Sequence, residues 1–409
     1  MSDDVITVVG IGADGWAGLG EAARAAILGA DEVIGSRRQL ELLPNDAPPA
    51  RAWPSPLDPL LDELARRGNG RVCVLASGDP MLHGIGATLA RRLGPERIEV
   101  LAAPSAFSLA CARLGWPAAE AELVSAVARS PEVVARVLQP RRRVIAYVTG
   151  EDGAAAVARV LCERGYGPSR FVVLEQLGGP AERATESTAE GWGEGRADPL
   201  HLVAIECAAG PGTPLLPLIP GLPDDAFESD GQLTKRHVRA ATLAALAPAP
   251  GALLWDVGAG SGSVAIEWLR AEPSARAIAI ERRQDRAERI GRNAGRLGVP
   301  SLAVVTGDAP ETLEHLPPPD AVFIGGGLTA PGLLARCWEA LRPGGRIVAN
   351  AVTLEGEQVL AAARSAHGGE LARIEVAHAE PIGGFTGWRA QMPVVQWACM
   401  ARERAWKPS

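Results

Sequence analysis

Leu253-Leu-Trp-Asp-Val-Gly-Ala-Gly-Ser-Gly-Ser263 decides the reading of the C-terminal half. A short apolar run ends in an acid, three glycines alternate with small residues, and a helical pattern follows over 264–269. Glycine has no Cβ, so backbone here can approach a ligand closely. The helix that follows offers unpaired N–H donors at its start. In an open α/β sheet, this first strand-to-helix turn is a ligand site by geometry. By itself a Gly-x-Gly-x-Gly is more often a plain turn than a nucleotide site.

The surroundings raise its weight. Strands are expected over 253–257, 277–280, 302–305, 321–324 and 346–349, with helices over 264–269, 284–297 and 333–341. That alternation predicts a doubly wound sheet. Asp256, Gly258, Gly260, Ser261 and Gly262 then form the first turn. Glu281 ends the second strand, where a carboxylate can accept from ribose hydroxyls, and Asp308 with Ala309 follows the third, suited to an adenine edge. A dinucleotide enzyme would also place an acid at the Glu281 position, but the spacing G-x-G-x-x-G is absent. The set therefore favours S-adenosylmethionine over a nicotinamide.

Outward from this core, residues 208–223, AAGPGTPLLPLIPGLP, are too dense in Pro and Gly to hold a helix or strand for long. They mark a seam, giving domains over 1–207 and 225–409 with a linker over 208–224. The N-terminal half also alternates. Strands are expected over 5–9, 71–76, 98–101, 144–148 and 171–174, with helices over 17–29 and 153–164. This predicts a parallel sheet, with the later part forming a layer of its own. Three turns end its strands: Gly10 to Gly15, Ser77-Gly-Asp-Pro80, and Pro104-Ser105. Each taken singly is a turn more often than a site.

Bulk properties narrow the function classes. The 409 residues are 47% hydrophobic and 22% charged, with a net charge of −7. An acidic chain without a basic, aromatic-rich stripe counts against nucleic acid as the partner. The six cysteines show no metal-ligand spacing, so buried thiols in a reducing compartment are expected, and no metal. No secretory leader pattern opens the chain and no apolar run is long enough for a membrane span, so a cytoplasmic protein is the default.

Further segments give the C-terminal half a specific likeness. Gly231-Gln-Leu-Thr-Lys-Arg-His-Val-Arg239, Asn293 to Gly298, Gly307-Asp-Ala-Pro310, Pro319-Asp-Ala-Val-Phe-Ile-Gly-Gly-Gly327, Leu341-Arg-Pro-Gly-Gly345 and Ala349-Asn-Ala-Val-Thr-Leu-Glu355 occur in order around the glycine loop. Over residues 228–400 the chain resembles the decarboxylating precorrin methyltransferase family of cobalamin biosynthesis, built on the class I (Rossmann-like) fold. The glycines at 325–327 suit a large, flat substrate. The N-terminal turns, with Met81-Leu-His-Gly84, Glu175-Gln-Leu-Gly-Gly179 and Glu182, resemble the tetrapyrrole methylase family over residues 5–206. That family has a two-lobed α/β fold with the cofactor held between its lobes. Many members carry Gly-Pro-Gly where this chain has Ala13-Asp14-Gly15.

Together the resemblances imply a bifunctional fusion with one S-adenosylmethionine site per domain. They imply methylation of a corrinoid precursor, precorrin-6B, at ring positions 5 and 15, and loss of the ring C acetate carboxyl, giving precorrin-8. Gly12, Gly78, Asp79, Pro80 and Ser105 are the cofactor residues expected in the first domain. A polycarboxylate substrate calls for cationic contacts. Lys235 and Arg239 are expected there, and His83, beside the Gly-Asp-Pro turn, is a third catalytic candidate. His237 and His378 are weighed as proton carriers, and Trp388-Arg389 as part of a covering loop. A homo-oligomer built on the C-terminal domain is also implied. The rival readings are a methyltransferase acting on RNA or another large flat substrate, and a cofactor-binding module without catalysis.

Overall fold

A computed structural model describes residues 5–68 and 70–401. The outer ends of both expected domains, 1–4 and 402–409, lie outside them. The chain forms two compact units: one runs to Pro131 and resumes over Pro140–Thr213, and the other takes Glu132–Gln139 and Pro214 onward. The Glu132–Gln139 excursion leaves no mark in the sequence pattern. Gly295 and Gly298, at the end of the helix Gln284–Arg296, make room for it. A Cβ on Gly298 would stand 2.1 Å from the Arg136 nitrogen, and Arg136 Nη1 donates to the Arg270 carbonyl at 3.2 Å.

The first unit has two five-stranded sheets. One contains β1 (Ile6–Ile11), β2 (Glu32–Gly35), β3 (Ala50–Ala52), β4 (Val72–Ser77) and β5 (Ile98–Leu101), all parallel, in the order β3-β2-β4-β1-β5. Apolar residues fill both faces: Ile6, Val8 and Val74 on one side, Val9, Ile11 and Leu75 on the other. This is why the strands read as continuous apolar runs. The other sheet contains β6 (Ala121–Ser125), β7 (Arg143–Tyr147), β8 (Arg170–Glu175), β9 (Arg183–Thr188) and β10 (His201–Glu206), in the order β6-β7-β10-β8-β9. Of its pairings only β6–β7 is parallel, so the expectation of a parallel sheet fails for this layer. The helix expected over 17–29 is broken at Leu19-Gly20, giving Gly15–Gly18 and Glu21–Leu28.

The second unit is built on β11 (Leu253–Val257), β12 (Arg276–Glu281), β13 (Ala303–Thr306), β14 (Ala321–Ile324), β15 (Arg346–Ala351), β16 (Glu370–Ile374) and β19 (Val394–Met400), with β17 (Ala377–Ile382) and β18 (Phe385–Ala390) forming a separate hairpin. The order is β13-β12-β11-β14-β15-β19-β16, and β19 runs antiparallel to both its neighbours. Leu253, Trp255 and Val257 pack on one face of β11, and Leu254 on the other, among Val264, Ile266 and Phe323. Strand order reverses between β11 and β14, so their carboxyl ends open the crevice where such folds bind ligands.

Candidate active sites

The second unit's crevice is a cavity of about 800 Å³. Its floor is glycine. Gly258 has φ +70, and a Cβ there would stand 2.8 Å from the backbone of Gly326, so the turns after β11 and β14 pack backbone to backbone. A Cβ on Gly260 would meet the Gln232 carbonyl at 2.9 Å. Such a cradle, which any side chain would fill, fits a ligand laid against the backbone. Lys235, Gly258, Gly260, Glu281, Asp308 and Ala309 all line the cavity. Glu281 is buried, accepting from the Gly260 N–H at 2.9 Å and the Arg283 N–H at 3.1 Å, while the Asp308 side chain is exposed. This donor set suits a nucleoside: a fixed carboxylate for hydroxyls and an exposed one further along the rim.

Asp256, Ser261 and Gly262 stand behind that floor. Asp256 Oδ2 accepts from the Ala265 N–H at 3.0 Å, pinning the helix Ser263–Ala271, while Asp256 Oδ1 and Ser261 Oγ are buried without a partner among the described residues. Burial, with a smaller contribution from the neighbouring Glu281 charge, pushes the Asp256 carboxyl up to about 7. Gly262, at φ +76, abuts Ile290, where a Cβ would come within 2.7 Å. These three shape the turn and do not line the cavity.

Arg239 corrects the expectation of a substrate contact. Its side chain is fully buried and pairs with Glu267 at 2.6 Å and Asp224 at 3.1 Å. The guanidinium also donates to the carbonyls of Leu222 and Thr234, while Glu267 accepts from the N–H groups of Gly221 and Leu222. It fastens the end of the linker to two helices and is absent from the cavity lining. Lys235 does line the cavity, as the cap of the helix Arg236–Leu246, and Arg282 shares the lining with it. His237 and His378 face each other with ring centroids 5.6 Å apart, away from the lining. Trp388 and Arg389 lie on β18, not in a covering loop; the chain that does reach the cavity is Gln391, Met392 and Val394. Asn350, inside the segment Ala349 to Glu355, is a lining residue that sequence reasoning missed. Its amide is held by Thr242 and Gln396, both at 3.0 Å.

The first unit has its own cavity, of about 500 Å³. Gly12, Gly78, Asp79, Ser105 and His83 line it; Pro80 does not. Pro80 instead packs beneath, where a Cβ on Gly84 would meet its carbonyl at 2.5 Å. A Cβ on Gly10 would stand 2.2 Å from the Gly78 carbonyl, so the end of β1 and the turn after β4 touch through backbone. Asp79 Oδ1 accepts from the Met81 N–H at 2.8 Å, and Ser105 caps the helix Ala106–Leu114 through the Ser108 N–H at 3.0 Å. His83 holds a left-handed backbone, φ 56, with its ring edge-on to Tyr147. Sequence reasoning also missed Arg38, Gln39, Tyr147 and His201 in this lining. His201 Nδ1 donates to the Asp198 carbonyl at 2.6 Å, and Nε2 is buried without a partner among the described residues. Burial holds this imidazole below the usual histidine range, against the opposing pull of Asp198 and Glu175.

Two family profiles match these two units: Tetrapyrrole (Corrin/Porphyrin) Methylases over residues 5–191, and Precorrin methyltransferase domain over residues 225–401. A protein of a Sinorhizobium species named precorrin-6Y C(5,15)-methyltransferase [decarboxylating] is 49% identical over 394 residues, 96% of this chain and 95% of its own. One of the same name from Mycobacterium tuberculosis is 45% identical over 402 residues, 97% of this chain and all of its own. The chain belongs to the decarboxylating precorrin-6Y methyltransferase family. It is a methyltransferase, so the reading as a binding module without catalysis falls. A shorter relative from Pyrobaculum calidifontis, named probable cobalt-precorrin-6B C(15)-methyltransferase (decarboxylating), is 37% identical over 182 residues, 43% of this chain and 93% of its own. Among the described residues no helix is long and apolar enough to cross a membrane.

Proposed function

We propose that the protein methylates precorrin-6B (precorrin-6Y) at ring positions 5 and 15 and removes the ring C acetate carboxyl, giving precorrin-8 on the aerobic route to cobalamin in the cytoplasm. The observation that carries this reading is that each unit has its own glycine-floored cavity at the carboxyl edge of its sheet. Position 15 and the decarboxylation fall to the second unit, a division supported by the one-domain size and the name of the Pyrobaculum relative. Position 5 falls to the first.

S-adenosylmethionine, one per unit, supplies a sulfonium-activated methyl group when bound. The protein's own work is alignment and exclusion of water. Each transfer makes a carbon–carbon bond, breaks a sulfur–carbon bond and releases one proton from the carbon attacked. In the decarboxylation the pair from the broken carbon–carbon bond passes into the conjugated ring and is later protonated. In the second unit Gly258, Gly260, Glu281 and Asp308 would hold the cofactor, and Lys235 and Arg282 would meet substrate carboxylates. In the first, Gly12, Gly78, Asp79 and Ser105 would hold the cofactor, beside His83.

Self-association belongs to the same reading. The β17–β18 hairpin carries Ile382, Phe385 and Trp388 at 61%, 84% and 77% exposed, and two strands alone cannot bury them. A second copy of this chain would cover them. Mass spectrometry of the product tests the chemistry. Full-length protein with precorrin-6B and excess S-adenosylmethionine is expected to add two methyl masses and lose one carbon dioxide. Asp79→Ala is expected to remove one methyl only, and Glu281→Ala the other methyl. Unchanged substrate from folded, cofactor-binding protein would overturn the tetrapyrrole assignment.

A further inference from the structure

Arg38 is the one Lys or Arg among the described residues lining the first unit's cavity. It lies in the short helix Arg37–Leu40, directly after β2. Its Nη2 donates to Ser77 Oγ at 2.7 Å, and it makes no ion pair with the described residues. Three arginines on the strands of this unit are matched by carboxylates: Arg51 by Glu32 and Glu63, Arg170 by Glu186, Arg183 by Glu175. The carboxylate acting on Arg38 from a distance is Asp198, whose Oδ1 is already taken by the Leu200 N–H at 2.7 Å and Gln176 Nε2 at 2.8 Å.

The guanidinium is also held in place. The Ser36 N–H donates to Gln39 Oε1 at 2.7 Å, which commits the carbonyl end of that buried amide. Gln39 Nε2 must then point to Ser77 Oγ, and does so at 3.0 Å. Ser77, at the end of β4 and next to Gly78 and Asp79, receives both donors and fixes where Arg38 stands. Burial makes the charge less comfortable than in water. A cation fixed at a cavity wall, partly out of water and with its one nearby carboxylate too far for an ion pair, is stabilised by an anionic ligand that pairs with it directly.

We propose that Arg38 anchors the substrate in the first unit by pairing with a peripheral carboxylate of the tetrapyrrole, so selecting which bridging carbon meets the methyl group. Gln39 and Ser77 are positioning residues for it. This rests on the tetrapyrrole reading of the first unit. The same chemistry could come from the amino-acid carboxylate of the cofactor, so the test separates the two sources. Full-length Arg38→Gln and Arg38→Lys are compared with wild type in two measurements: calorimetric binding of S-adenosylhomocysteine, and product masses over a range of precorrin-6B concentrations. For Arg38→Gln we expect unchanged S-adenosylhomocysteine affinity and stoichiometry. We also expect a KM for the first unit's methylation raised about 10- to 100-fold, the range for losing a charged hydrogen bond. At limiting substrate its product carries one methyl and has lost carbon dioxide, so the second unit's reaction reports that the protein is folded. Arg38→Lys recovers part of the loss. If the first unit's KM is unchanged in Arg38→Gln, the anchor is overturned. It is overturned equally if S-adenosylhomocysteine affinity falls at one site. Wild type that binds S-adenosylhomocysteine but leaves precorrin-6B unchanged overturns the tetrapyrrole reading itself.

Discussion

Asp256 sits beneath the glycine turn with one oxygen on the Ala265 N–H and the other without a partner among the described residues. Its carboxyl, pushed by burial up to about 7, keeps its proton in the folded state where an unfolded chain has already released it. Stability of the second unit should therefore fall as pH rises from about 4 to about 7, then level off. The total loss is at most about 4 kcal/mol, since each tenfold change in proton affinity is worth about 1.4 kcal/mol. Asp256→Asn removes the titration and should flatten this slope in thermal unfolding without cofactor; an unaltered slope would refute the assignment. Arg239 works in the opposite sense. Its charge is matched by Glu267 and Asp224, so Arg239→Met should leave the buried Glu267 without its cation and cost about 3–5 kcal/mol. Denaturant unfolding checks this: a cost below about 1 kcal/mol would mean that the pair is not the staple described. None of this is legible in the sequence. Arg239 stands in a cationic motif, and its partners lie 15 and 28 residues away.

Elements buried on both faces are the readable ones. The strands expected over 253–257 and 321–324 coincide with β11 and β14, whose residues are all buried, because a short, mostly apolar run between turn residues has one economical conformation in an α/β layer. β9, Arg183–Thr188, is almost wholly exposed and polar, and gives no such signal. The hairpin of β17 and β18 escapes for a related reason: its strands are exposed on both sides and show no period of two, so Trp388 looks like part of a loop. In the self-association proposed above, a second copy covers Ile382, Phe385 and Trp388. Phe385→Ser with Trp388→Ser should lower the sedimentation coefficient of the full-length protein toward that of a single chain, while leaving S-adenosylhomocysteine binding intact. Wild type that already sediments as a single chain would remove the argument for self-association.

At the scale of the molecule, the two units each carry a cavity and a buried titratable group, and the two groups respond to pH with opposite sign. In the first unit burial lowers the proton affinity of His201, whose Nδ1 donates to the Asp198 carbonyl and whose Nε2 has no partner among the described residues. A histidine depressed in the fold contributes stability that is present above its unfolded value near 6.5 and is lost as pH falls through the folded one. Asp256 in the second unit has the reverse sign. The two units should therefore drift apart with pH: going from pH 7.5 to 5, the first loosens while the second tightens. Hydrogen exchange resolved by peptide is the measurement, since it reads the opening of each unit separately in one sample. Core peptides from β7, β8 and β10 should lose protection toward pH 5, once the intrinsic pH dependence of exchange is divided out. Those from β11, β12 and β14 should gain it. His201→Gln should abolish the first trend and leave the second, and Asp256→Asn should do the converse. If both units moved together in wild type, one of the two buried groups would have to be titrating elsewhere than its surroundings dictate.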